Sequence, residues 1–365
     1  MKSKRALQLA IWVAFGAALA SADTVTFTCD PSVATATCNY LNTTVAANYT
    51  STFSNVNADF YITYGTTGLA SSTTGTDNQV TYTQYAAALA AAAAASGNTV
   101  QIDAVAALTN YDASVYGSGN VDITSALANA LGISGEVQGG NTGITGPGGS
   151  MCSSPGSGGC YNGVITMSNA SNTFYYDNLG GTEASDLLDF YNTVEHEVDE
   201  LLGTTSCIST QGASLVDDCP GNNTPSAADL FRYSGPGALV LDSSLSTTPG
   251  AYFSYNGGAT NGATTSVGVK FYNTLDNGDD YGDFVTNCAG GAGSFSVQDA
   301  EGCPGTDGGL TILNDGGAEI NMLNAVGYEL YPNTSSVPEP RTLFILVPVL
   351  LSVAYFARRR YRLAA

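Results

Sequence analysis

The chain has 365 residues, with 31 acidic and ten basic side chains and a formal charge of −21. Eight of the basic residues lie at the two ends (Lys2, Lys4, Arg5, Arg341, Arg358, Arg359, Arg360 and Arg362), so between Asp23 and Pro340 only Arg232 and Lys270 face all 31 acidic residues, a formal charge of −29. Almost nothing there can neutralise phosphates, which excludes nucleic acid as a partner; the supply of apolar and aromatic residues excludes a disordered chain.

In chain order, Lys2, Lys4 and Arg5 precede an apolar run from Leu7 to Leu19, and Ala20-Ser21-Ala22 closes it with small residues. This is the pattern of a secretory signal peptide over residues 1–22, with the mature start near Asp23. The body of about 310 residues that follows is long enough for one large domain. A helix is expected over Leu41–Phe53 and a strand over Ala58–Tyr64, whose aromatic and β-branched residues stop at Gly65. The Ala-rich stretch Thr83–Ser96 predicts a helix ended by Gly97, and Thr99–Val105 predicts a strand. Thr124 is a fitting N-cap for a helix ending near Gly132. Gln138–Gly163, rich in Gly, Ser and Pro, predicts a long loop; Gly163–Ser168 predicts a strand; helices are expected over Glu183–Leu202 and Ala318–Val326. Mixed strands and helices around one long central helix indicate an α+β layered domain.

Eight cysteines fall in four close couples, Cys29/Cys38, Cys152/Cys160, Cys207/Cys219 and Cys288/Cys303. Even, locally clustered cysteines in an exported chain predict disulfides between sequence neighbours. No C-x-x-C occurs, which argues against a cysteine zinc site or a thioredoxin-like redox site.

The chemistry concentrates on one helix. His196 is the sole histidine and stands in Glu195-His196-Glu197-Val198-Asp199-Glu200-Leu201-Leu202-Gly203. On a helix, Leu187, Tyr191, Val194, Val198 and Leu201 form one apolar stripe. His196 and Glu200, at i and i+4, lie side by side roughly opposite it, with Glu197 on the flank. The spacing is that of H-E-x-x-H with Glu in place of the second His. In that motif the i and i+4 residues hold Zn²⁺, and the Glu between them is the general base that activates water. Glu200 is an acceptable carboxylate ligand for Zn²⁺; the oxygen-rich donor set leaves Mn²⁺ or Ca²⁺ compatible as well. The plainer alternative is a solvated acidic helix face that includes a histidine. Against it, three of only nine Glu stand at 195, 197 and 200 around the lone His.

Two resemblances add to this. At the C-terminus, Val337-Pro338-Glu339-Pro340, the sixteen-residue apolar stretch Thr342–Ala357 and the cluster Arg358-Arg359-Arg360 resemble the PEP-CTERM sorting signal of Gram-negative bacteria. That resemblance implies a transmembrane tail over 337–365, arginines on the cytoplasmic side, processing by an exosortase-type enzyme, and a body delivered outside. The plainer alternative is an ordinary C-terminal anchor, with the body on the same side.

In the body, the E-H-E-V-D-E-L-L-G run, Ala228-Asp229-Leu230-Phe231-Arg232-Tyr233-Ser234-Gly235-Pro236-Gly237, Tyr252-Phe253-Ser254 with Gly257-Gly258, and Met322-Leu323-Asn324-Ala325-Val326-Gly327-Tyr328 resemble a group of secreted bacterial metalloproteases, over about residues 40–330. The resemblance implies a zincin-like single domain over 23–333, with a mixed sheet whose edge strand lines the cleft above the active-site helix; Gly163–Ser168 is the candidate edge strand. The third histidine of metzincins is absent, because Ser206 stands at its position. Asp229, inside a resembling motif, is then the first candidate for an oxygen third ligand, with Asp217 and Asp218 as runners-up. Tyr233 is read as a packed tyrosine, or alternatively as a group polarising a substrate carbonyl. Arg232 is read as a partner for buried carboxylates, or alternatively for a substrate carboxylate. The acidic run Asp276–Asp283 lacks EF-hand spacing and reads as a solvated turn or a Ca²⁺ loop. No G-x-S-x-G elbow marks a serine nucleophile.

The expectation is therefore an exported zinc-dependent metalloendopeptidase acting on protein or peptide, with His196, Glu200 and Asp229 as metal ligands and Glu197 as the catalytic base. The alternative is a non-catalytic cell-surface or extracellular-matrix protein with a degenerate site.

Overall fold

A computed structural model describes residues 23–66, 68–74, 78–109, 119–176, 184–208, 224–241, 250–259, 270, 272, 280–286, 288 and 295–332. The expected signal peptide and sorting tail lie outside these residues. Among the described residues no helix is long and apolar enough to cross a membrane.

The chain opens with β1 (Thr24–Cys29), followed by α1 (Thr35–Tyr40), a wider π-type turn over Leu41–Val45, and α2 (Ala46–Thr50). This helical stretch begins earlier than expected, and its inner side buries Leu41, Val45 and Tyr49. Next come β2 (Asn57–Gly65), β3 (Ala70–Thr74) and β4 (Gln79–Thr81). Helix α3 (Tyr82–Ser96) starts with a reciprocal capping box between Thr81 and Gln84 and ends at Gly97, whose φ of 65° suits glycine.

The expected strand at Thr99–Val105 is instead helix α4 (Thr99–Leu108). Asn98 accepts hydrogen bonds from Val100 N and Gln101 N and so caps a new helix immediately after the Gly97 turn. Packing of α4 against α3 then outweighs the β preference of its Thr, Val and Ile residues. Short strand β5 (Asn120–Asp122) pairs with β4, and α5 (Ser125–Ala130) starts at Thr124, whose hydroxyl accepts from Leu127 N. The expected loop contains only the small pair β6 (Gly143–Ile144) and β7 (Met151–Cys152) before β8 (Gly163–Ser168).

The main sheet has the order β1-β2-β8-β3, with β3 antiparallel to β8 and the others parallel. This corrects the edge-strand expectation. Gly163–Ser168 is an interior strand, buried along nearly its whole length, and the antiparallel edge is β3, an Ala-Ser-Ser-Thr-Thr run that is half-buried except at the exposed Thr73.

After β9 (Phe174–Tyr175) and β10 (Leu188–Asp189), α6 (Phe190–Asp199) continues into a π-type turn over Glu200–Thr204. The helix starts later than expected because the Asp189 carboxylate caps Tyr191 N and Asn192 N. It stops at Gly203, where φ is 124°. A three-stranded sheet, β11 (Arg232–Gly235), β12 (Ala238–Leu239) and β13 (Tyr252–Phe253), and α7 (Ala318–Val326) complete the described elements.

One large apolar core joins the sheet to the helices: Phe27, Phe60, Ile62, Ile165 and Met167 meet Tyr49, Phe53, Phe190, Val194, Val198, Leu201, Leu323 and Val326. Helix α6 packs against β3 and β8, and α7 packs against α4 and the π-type turn after α6. The contact with β8 is close, since a Cβ added at Gly163 would stand 2.3 Å from Leu201 Cδ2. Three disulfides, Cys29–Cys38, Cys152–Cys160 and Cys288–Cys303, join the expected neighbours. The fourth expected pairing involves Cys219, outside the described residues.

Candidate metal centre

Helix α6 is buried on nearly every side, not on a single stripe: Phe190–Asp199 is buried except at His196. His196 and Glu200 are where the helix meets a cleft of about 630 Å³. Gly68–Ser72 leads into and along β3 on one side of that cleft, and residues 295–303 stand on the other, so the helix forms the floor between them.

Three ligand-type side chains converge there. His196 Nε2 lies 3.7 Å from Glu200 Oε1 and 3.6 Å from Asp283 Oδ1, and one ligand atom from each residue falls within 4.8 Å of the others. These separations are too long for hydrogen bonds. They approach the spacing of donor atoms around a shared ion: two ligands about 2.0–2.1 Å from a tetrahedral zinc lie roughly 3.3–3.4 Å apart. His196 Nδ1 is 2.9 Å from the Val297 carbonyl oxygen, so Nδ1 donates and the lone pair sits on Nε2, toward the two carboxylates.

The carboxylates are held as firmly. Glu200 Oε2 accepts from Ser72 Oγ at 2.6 Å. Asp283 Oδ1 accepts from Gln298 Nε2 at 2.8 Å, and Gln298 Oε1 accepts in turn from Thr204 Oγ1 at the end of the helix. Asp280 ties the Asp283 turn to the same helix end, accepting from Ser206 N at 3.0 Å and Gly282 N at 2.6 Å. Gly282 permits the approach, because a Cβ there would fall 2.4 Å from Thr204 O. Glu197 lines the cleft, is 5 % exposed, and leaves Oε2 without a hydrogen-bond partner. Burial first, and then the charge of Glu200 beside it and of Asp283 and Asp280, push its carboxyl well above the ordinary range. Asp280 is raised for the same reasons, burial and Glu200. Four carboxyl groups around one imidazole, with no Lys or Arg among the described residues that line the cleft, form a donor set that fits a divalent cation.

Asp229 is not part of this group. It is buried beyond the end of α6, where Ser206 Oγ donates to Oδ1 at 2.6 Å and Cys207 N and Ser226 N donate to Oδ2 at 2.9 Å. Its carboxylate is already occupied by protein donors, and the carboxylate that meets His196 and Glu200 is that of Asp283. Asp217 and Asp218 lie outside the described residues. Arg232 is buried, donates from Nη1 to Tyr281 O at 2.6 Å and stacks over the Tyr272 ring, 4.5 Å from its centroid. The Asp229–Arg232 motif thus braces the backbone on either side of the site, at Ser206 and Tyr281. Tyr233 is buried in β11 and does not line the cleft.

Sequence reasoning missed Asp283 and Ser72. Asp283 was visible as the last member of the Asp276–Asp283 run, but nothing in spacing alone brings that run to His196. Ser72 sits in a polar stretch with no strand periodicity. No protein-family model, curated protein or solved structure matches the chain.

Proposed function

We propose that the protein is an exported metal-dependent peptidase in which His196, Glu200 and Asp283 hold a divalent cation, Zn²⁺ first and Ca²⁺ or Mn²⁺ second, and Glu197 is the general base. The observation that carries this is the convergence of Nε2, Oε1 and Oδ1 at the floor of a cleft, with the histidine tautomer set by Val297 O. A bound cation there would supply Lewis acidity toward water and a peptide carbonyl.

The chain's own residues do the rest. Val297 and Gln298 orient His196 and Asp283 from one side, and Ser72 orients Glu200 from the other. Glu197, raised in proton affinity by burial, takes the proton of the attacking water at its carboxylate and returns it to the leaving amine. Among the described residues β3 is the edge strand of the main sheet, and the cleft beside it would accommodate an extended peptide. The edge strand β3 along the cleft above the helix that bears His196 and Glu200 supports the zincin-like reading, and the three disulfides fit an oxidising compartment. Export by the signal peptide and sorting by an exosortase-type enzyme through the tail belong to the same proposal.

The test is metal content of the purified body together with proteolysis of an unfolded protein substrate, with and without chelator. One bound divalent ion, lost in His196→Ala, and chelator-sensitive cleavage are expected. Metal-free protein, or cleavage indifferent to chelator, overturns the reading, and absence of both metal and cleavage favours a non-catalytic surface or matrix protein.

A further inference from the structure

We infer that Ser72 is a positioning residue for the metal ligand Glu200, and that through it the edge strand β3 and metal occupancy are linked. The inference rests on the metal centre proposed above and adds a residue and a coupling to it.

Ser72 is the central residue of β3 and pairs with Ile165 of β8, so the sheet holds its backbone in place. Side chains alternate along a strand; Ser72 lines the cleft while its neighbour Thr73 is exposed. The Ser72 hydroxyl donates to Glu200 Oε2 at 2.6 Å, the length of a charge-assisted bond to a carboxylate. The two Glu200 oxygens therefore have separate tasks: Oε2 is engaged by the strand, and Oε1 faces His196 Nε2. Without that donor, Glu200 is free to rotate about its last side-chain torsion, and that rotation removes a ligand from the cation.

Such a hydrogen bond behind a ligand is typically worth 10–100-fold in metal affinity. Linkage makes the effect reciprocal: whatever Ser72 contributes to holding the cation, the cation contributes to holding β3 against Glu200. Because β3 is the edge along which a peptide would lie, an empty centre should have a looser edge.

The experiment titrates Zn²⁺ into the wild type, Ser72→Ala, Ser72→Thr and the control Thr73→Ala against a chromophoric competing chelator. Backbone hydrogen exchange over residues 70–74 is then measured with and without Zn²⁺. Ser72→Ala is expected to bind Zn²⁺ at least about tenfold more weakly. Ser72→Thr, which keeps the hydroxyl on a strand-favouring residue, and Thr73→Ala are expected to stay within about threefold of wild type. Zn²⁺ should slow exchange in β3 of the wild type and of Ser72→Thr, but not of Ser72→Ala. Equal affinity in Ser72→Ala and wild type, or affinity lost equally in Thr73→Ala, overturns this inference alone. Absence of Zn²⁺ binding by the wild type overturns the metal centre with it.

Discussion

Helix α6 carries carboxyl groups on two sides, and the two sides treat them differently. Toward the cleft, Glu200 is partly accessible, shares its surroundings with an imidazole and Asp283, and keeps one oxygen directed at them. Toward the interior, Glu195 and Asp199 are fully buried. Asn48 Nδ2 and Ile312 N donate to Glu195, and the Tyr49 hydroxyl donates to Asp199 Oδ1. The ion pairs formed among the described residues do not include them. Burial pushes Glu195 up to about 8, even though its hydrogen bonds lower it, and pushes Asp199 well above the ordinary range with help from Glu319 and Glu195. The interior carboxyls are thus enclosed by protein donors in surroundings that favour the protonated form, whereas Glu200 and Asp283 at the cleft face an imidazole. Asp199 and Glu200, adjacent carboxyl residues, thus meet opposite surroundings, one enclosed in the core and the other beside an imidazole at the cleft.

This contrast can be broken most severely at Glu197. Glu197→Gln should lower the turnover rate by about 10²–10⁴-fold, the usual contribution of a general base, with bound metal unchanged. Peptidase assays beside metal analysis would show this, and an unimpaired variant would remove Glu197 from the chemistry. The next effect comes from the sheet side. Gly163→Ala places a methyl group against Leu201 and should destabilise the fold by about 1–3 kcal/mol, as overpacking does, read as a lower urea midpoint.

Stability should also depend on pH in an unusual direction. Burial raises Asp299 to about 7 and Asp315 to about 11, from an ordinary 3.8. In both, the folded state holds the proton more tightly than the unfolded chain, so folding is favoured most below about pH 4 and loses ground as pH rises. For Asp299 the loss falls between about pH 4 and 7, near 1.4 kcal/mol per unit at most. Metal-free protein should melt higher at pH 5 than at pH 8, and Asp299→Asn should flatten the part below pH 7. The smallest effect belongs to the interior side of α6. Asp199→Asn, a neutral replacement for a carboxyl that burial pushes toward its protonated form, should change stability at pH 7 by less than about 1 kcal/mol and leave metal affinity alone. A large loss in either would show that Asp199 is ionised in the folded protein.

Elements with strong local signals could be read from the sequence. Thr81 with Gln84, and Gly97, bound α3 as composition indicates; Thr124 caps α5; α7 occupies Ala318–Val326 as expected. Thr99–Leu108 misled because its β-branched residues outweigh, on paper, a single capping Asn98. Strand β3 was invisible because an edge along a cleft needs no apolar alternation. At the site, His196, Glu197 and Glu200 were legible from helical spacing, which is local. Asp283 was not, since its approach depends on Gly282, Asp280 and Gln298 joining distant segments. Asp229 was a candidate through the resembling motif it sits in, but Ser206, Cys207 and Ser226 donate to its carboxylate.

The two-residue strip Val297-Gln298 touches both sides of this arrangement. Outward, its carbonyl and side chain address His196 and Asp283; inward, its two amides donate to Asp315 Oδ2 and Glu319 Oε1. A genetic screen for lost metal binding should therefore return substitutions at Asp315 and Glu319, residues that touch no ligand and sit far along the chain from His196. Anyone transplanting the centre onto another scaffold would have to carry this strip and its acidic backing along with the helix.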